Sequence, residues 1–220
     1  MAFKLDFRHE SLAYTANYSR PPLELWGSGA VILTRMYDTL KPYDVTLGNF
    51  QLAPNLPNAG ETIVTVNLRN TILKFSFEKI DVIFSILTEK DFQEIPKFLK
   101  SATGWLRDVK DFAFKSHNVF YHAHVMLQGT TVEEFLHTVN PTVLKAGGID
   151  VSRASVFSFA VPKKAWIVQL TLDRSQGVQG GLYVGLSISI EKGDVDYDSL
   201  LVEAREYFET VLDELGLQLR

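Results

Sequence analysis

SISIEKGDVDYDSLLVEAREYFE, residues 187–209, passes from an alternation of apolar and polar side chains into a helical period. Shifting the chain against itself by 102 positions lays Ser187–Val211, which contains this stretch, without a gap over SILTEKDFQEIPKFLKSATGWLRDV, residues 85–109. Ser85/Ser187, Ile86/Ile188, Glu89/Glu191, Lys90/Lys192, Ala102/Ala204 and Val109/Val211 coincide, and Phe98/Leu200, Leu99/Leu201, Trp105/Tyr207 and Leu106/Phe208 are alike. Upstream the offset becomes 95, so that Ile72, Phe75, Phe77, Glu78 and Lys79 meet Ile167, Leu170, Leu172, Asp173 and Arg174. The second copy therefore holds seven extra residues, Ser175–Gly181, of sequence SQGVQGG.

Element order extends the match. The first copy reads as a strand or hairpin (3–18), a helix (24–41), strands (45–53, 62–69, 71–77, 79–88) and a helix (94–114). The second reads as a strand (118–128), a helix (131–145), strands (154–161, 165–173, 181–191) and a helix (197–215). Val64, Val66 and Leu68 alternate with Thr65 and Asn67, and Leu182, Val184, Leu186, Ile188 and Ile190 alternate with Tyr183, Gly185, Ser187 and Ser189. Such strands bury one face only, as in antiparallel sheets. Leu200, Leu201, Ala204, Phe208, Val211, Leu212 and Leu215 form an apolar helical stripe to cover one, with Gly216 as its stop. The expected fold is α+β: two tandem β-α-β-β-β-α repeats, 1–115 and 116–220, in one continuous globular unit, with helices on one face of a pseudo-two-fold antiparallel sheet.

This order resembles the TATA-binding-protein-like and helix-grip folds, a likeness of architecture that carries no motif for DNA binding. The pieces Pro22, Leu23 and Glu24, then Asp173, Ser175, Gly181 and Leu182, resemble a sporadically distributed family of uncharacterised bacterial proteins with a terminal helix. That resemblance implies an accessory role in a mobile-element or antiviral defence system, without a stated mechanism.

Composition narrows the function classes. A net charge of −4 gives no electrostatic reason to bind phosphate backbones or anionic membranes. The polar strand positions Asn67, Lys74, Ser76, Gln169, Thr171, Ser187 and Ser189 are mixed and nearly neutral, where a DNA saddle needs Arg and Lys. With no cysteine, thiolate catalysis, disulfides and Cys-based zinc sites are absent, which fits a reducing cytoplasm. MAFKLDFRHE alternates like a strand and lacks the apolar core of a signal peptide, and no apolar run reaches membrane-spanning length.

Asp194, Asp196 and Asp198 look like a metal loop, but a calcium loop counted from Asp194 needs Gly and Glu where Ser199 and Arg205 stand. The repeat sets Asp198 against Pro96, a residue favoured in a first helical turn, so the aspartates are expected to cap a helix. His122 and His124 project from one strand face and are weak metal candidates, because a third ligand has no recognisable spacing and Glu133 and Glu134 are merely the closest acids in sequence. GSGA at 27–30 lacks the Gly-Lys-Ser/Thr of a phosphate loop, AGG at 146–148 reads as a helix end, and no G-x-S-x-G elbow occurs. No cofactor is expected. Candidate binding residues are Ser175, Gln176, Gly177, Val178, Gln179, Gly180, Gly181 and Tyr183, on a hairpin expected to be long and flexible; APNLPNAG at 53–60 is a second loop that could meet a partner. The expected function is non-enzymatic binding of a protein partner or a second copy. The alternatives are a ligand-binding or metal-dependent enzyme at His122/His124 and a nucleic-acid-binding module.

Overall fold

Val, Ile, Phe and Tyr dominate the alternating stretches, and in the computed structural model each becomes a strand. The structure describes residues 3–22, 25, 29–53, 62–85, 88–141, 145–146, 149–150 and 154–218. The strands are β1 (Phe3–Tyr18), β2 (Phe50–Leu52), β3 (Thr62–Asn67), β4 (Thr71–Ser76), β5 (Lys79–Ser85), β6 (Phe114–Gln128), β7 (Lys145–Ala146), β8 (Ile149–Asp150), β9 (Ser155–Val161), β10 (Trp166–Arg174), β11 (Leu182–Ile190) and β12 (Leu217–Gln218). The helices are α1 (Gly29–Leu40), α2 (Glu89–Gly104), α3 (Val132–Val139) and α4 (Tyr197–Glu214). The fold is α+β. Ten strands hydrogen-bond in the order β2-β3-β4-β5-β1-β6-β11-β10-β9, with β12 parallel to the start of β1, while β7 and β8 form a separate ribbon.

The chain divides into two compact units, one comprising 1–11, 120–188 and 202–220 and the other 12–119 and 189–201. In the first, Tyr121 meets Phe208 of α4 at 4.4 Å between ring centroids, Trp166 meets Tyr207 at 6.0 Å and Phe3 meets Phe135 at 5.8 Å. In the second, Phe75 packs on Trp105 at 5.5 Å, and Phe98 of α2 receives Phe84 at 5.5 Å and Tyr43 at 4.8 Å. Leu200, Leu201, Ala204, Phe208, Val211 and Leu212 of α4 are buried, as their spacing predicts. Gly216 ends the helix at φ 73°, a left-handed conformation that favours glycine.

Several boundaries differ from expectation, among them the start of β6, which begins at Phe114 and not at 118. Helix α2 starts at Glu89, because Thr88 and Asp91 cap each other reciprocally, so buried Pro96 lies inside the helix and not in its first turn. It stops at Gly104, and a 3-10 turn spans Trp105–Asp108. Helix α3 ends at Val139 because Asn140 precedes Pro141, which disfavours helical backbone before it. In place of the strand at 45–53, Thr46 and Asn49 close a 3-10 turn at Leu47–Asn49, leaving β2 only three residues. Most of 53–60, residues 27–28 of GSGA, residues 147–148 of AGG, Leu23, Glu24 and Trp26 lie outside the described residues.

Candidate functional site

Alternation along β6 turns Tyr121, Ala123 and Val125 inward and leaves Phe120, His122, His124 and Met126 half-buried between them. Along β11 the same rule buries Val184, Leu186 and Ile188 and leaves Tyr183 on the other side. The burial phase of β1 changes between Leu5 and Leu12, an odd-to-even shift. Strand β1 contributes Ser11, whose hydroxyl is 2.5 Å from His122 Nε2, and His9, whose ring stands edge-on to His124 with centroids 6.3 Å apart.

The two features singled out separately in the sequence meet here. Ser175, the first residue of the inserted SQGVQGG, places its Oγ 2.7 Å from His124 Nδ1. That oxygen also accepts from the Val178 amide at 2.8 Å, so one hydroxyl ties the turn to the ring. The backbone of Gly177 lies against the same ring, since a Cβ there would stand 3.6 Å from His124 Cε1. Residues 175–181 link β10 to β11, and in place of the flexible hairpin expected they form a closed turn. The Ser175 amide donates to the Gly181 carbonyl at 2.7 Å, and the Gly181 amide donates to the Val178 carbonyl at 3.0 Å. Gln176, Gly177, Gln179 and Gly180 remain exposed, and Val178 is half-buried.

Tyr183 completes the patch, with its ring 5.2 Å from His124 and 5.9 Å from His122. It can lie along the strand because Gly185, two residues on, has no side chain: a Cβ there would sit 2.9 Å from Tyr183 Oη and 3.2 Å from Phe120 Cε2. Burial lowers the pKa of both His122 and His124 below the usual histidine value, so at neutral pH the rings are uncharged. Burial likewise raises the Tyr183 phenol. Ser11, His9, Phe120 and Gly185 escape the sequence reading; a glycine interrupting an alternating strand is the one signal that could have marked the place.

The arrangement holds a hydroxyl against an imidazole, but among the described residues no carboxylate bonds to that imidazole. His122 Nδ1 is buried without a partner among the described residues. Among the described residues no group of three or more His, Asp or Glu is arranged to hold a metal ion. The acids closest in sequence are engaged elsewhere: Glu133 pairs with Arg174 at 3.0 Å, and Glu134 caps α3 by accepting from the Thr131 amide at 3.0 Å.

The aspartate triplet lies in the second unit and serves structure. Asp196 accepts from the Ser199 amide at 3.3 Å and its hydroxyl at 2.6 Å, and these bonds hold its carboxyl below the usual range. Asp198 pairs with Lys100, and Asp194 with Arg107 at 3.4 Å. Beneath them runs a buried polar chain. Tyr14 Oη is 2.5 Å from His117 Nδ1, His117 Nε2 is 3.1 Å from the Gly193 carbonyl, and Tyr197 Oη stands 3.3 Å from Tyr14 Oη and 2.9 Å from Thr103 Oγ1. A carbonyl only accepts, so Nε2 carries the ring proton and Nδ1 accepts from Tyr14. An open cavity of about 520 Å³ beside this joint is lined by Lys100, Arg107, Asp194 and Asp196, its charges internally paired.

No protein-family profile matches the chain, and no curated protein matches it either.

Proposed function

We propose that this chain is a non-enzymatic binding protein of the cytoplasm, an adaptor that engages a protein partner with the face formed by His9, Ser11, His122, His124, Tyr183 and the turn 175–181. The observation that carries this reading is the Ser175–His124 contact at 2.7 Å, which ties the seven-residue insertion to the half-buried histidines. Loops fixed on a strand scaffold are where recognition concentrates. Aromatic and imidazole edges flanked by exposed glutamine and glycine offer apolar area with adaptable hydrogen bonding. The accessory role implied by the family resemblance belongs to the same proposal. So does the tandem repeat: β4 and β5 correspond to β10 and β11 at the two offsets, while α2 starts six residues earlier than the register with α4 predicts.

A second reading, a ligand-binding or metal-dependent enzyme at the same face, draws on the Ser11–His122 pair at 2.5 Å, which has the form of a nucleophile beside a base. One preparation separates the two. Affinity capture with the wild type and with Gly177→Glu, whose side chain projects from the exposed turn beside His124, is expected to give a partner with the wild type only. Stoichiometric zinc, iron or manganese in the purified protein, lost on His122→Ala, would overturn the adaptor reading in favour of the enzyme.

A further inference from the structure

Strand β9, SVFSFAV, is the last strand on one end of the hydrogen-bonding path, so its outer backbone groups face away from β10. Natural proteins guard such edges with charge, proline, bulges or brevity. At the other end of the path the guard is brevity, β2 having three residues. Strand β9 has seven residues and, among the described residues, none of these guards. It carries no charge and no proline, and it pairs with β10 in unbroken register from Ser155↔Leu172 to Val161↔Trp166. Val156 is 54% exposed, Phe157 37%, and Ile167 of β10, opposite Ala160, 56%.

The sequence of this edge is its own complement. An antiparallel pairing of two identical strands about Ser158 sets Ser158 against Ser158 of the copy, Phe157 against Phe159, Val156 against Ala160 and Ser155 against Val161. Around the axis apolar residues meet apolar ones, Phe157 with Phe159 and Val156 with Ala160, two hydroxyls meet at the axis itself, and only the end pairs set Ser155 against Val161. The same logic already operates inside the chain, where β10 sets Leu170 opposite Phe157 and Val168 opposite Phe159. We propose that two copies of this chain associate edge to edge through β9, antiparallel and centred on Ser158, so that the sheet continues from one copy into the other. This inference does not rest on the histidine face.

A seven-residue ladder alone falls short of the roughly 1,600 Å² of a standard interface, so the dimer is expected to exchange with monomer on dilution. Sedimentation velocity over a dilution series of the full chain is expected to show monomer and dimer, and Ser158→Lys, which sets lysine against lysine at the axis, to leave monomer throughout. The absence of cysteine supplies a second measurement that needs no loss of folding. Under diamide, Ser158→Cys is expected to form a covalent dimer, Val156→Cys alone to form none because it faces Ala160, and Leu52→Cys on the opposite edge to form none. A wild type that is monomeric at every concentration, a dimer that survives Ser158→Lys, or cross-linking at 156 or 52 as efficient as at 158 would each overturn the proposal.

Discussion

Replacing Tyr14 with Phe removes one oxygen from a fully buried ring and leaves its shape intact, so the cost comes from hydrogen bonding alone. The lost bond is the 2.5 Å contact to His117 Nδ1. His117 cannot compensate by shifting its proton, because Nε2 is held by the Gly193 carbonyl at 3.1 Å. Nδ1 becomes a buried acceptor without a donor, and orphaning a buried polar group costs about 1–3 kcal/mol. Tyr197 loses only a 3.3 Å contact and keeps Thr103 at 2.9 Å. The expected destabilisation is therefore about 2 kcal/mol, which for a chain of this size lowers Tm by about 4–8 °C. The control is Tyr197→Phe. There Tyr14 keeps His117 and Thr103 keeps the Leu99 carbonyl at 2.7 Å, so the loss should stay below about 1 kcal/mol. Urea unfolding of the two variants beside the wild type reads the difference. Equal losses, or a Tyr14→Phe variant as stable as the wild type, would refute the assignment of Tyr14 as donor to His117.

Acid should weaken the fold in two stages. Burial lowers His117, His122 and His124 below their ordinary 6.5, so as pH falls the unfolded chain takes up protons first. Their contribution is complete above 6.5 and lost as pH drops below it toward the folded values, which urea midpoints measured from about pH 7.5 to 5.5 should follow. Asp91, Asp196 and Glu134 are held low by their capping bonds, so their contribution is present above about pH 4 and disappears as pH falls through their folded values. Thr131→Ala removes the side-chain cap of α3 and should cost about 1 kcal/mol in the same assay. Gly185→Ala crowds the far end of Tyr183 at 2.9 Å, so it should displace that ring from the histidines with a stability change within about 1 kcal/mol, and abolish partner capture; unchanged capture would remove Tyr183 from the site.

Periodicity carried the strands because a half-buried strand must alternate; Ile63–Asn67 obeys that rule, and Leu182–Ile190 breaks it only at Gly185. It also carried α4, whose stripe residues Leu200, Leu201, Ala204, Phe208, Val211 and Leu212 are buried. What the pattern misplaced were helix starts, which depend on a single capping residue: Thr88 outweighs Pro96 because reciprocal bonds with Asp91 satisfy two amide donors at once. The alignment of Asp198 with Pro96 put Asp198 in a first turn with Asp196 before it as the cap; Asp196 does cap α4, whereas Pro96, the premise, lies inside α2. The site itself was half legible. His122 with His124, and the insertion at 175–181, could be named from spacing and self-comparison. Their meeting could not, because Ser11 and His122 are 111 residues apart and only strand pairing brings them together.

The central claim is that the turn 175–181 and the histidine face form one binding surface for a protein partner. Its most direct test is photo-cross-linking from a single introduced cysteine, carried by Gln176→Cys on the exposed turn and, as the comparison, by Glu206→Cys on the exposed side of α4. One protein species should be captured repeatedly from position 176 and not from 206. Capture that is equal from both positions, or absent from 176, would contradict the claim.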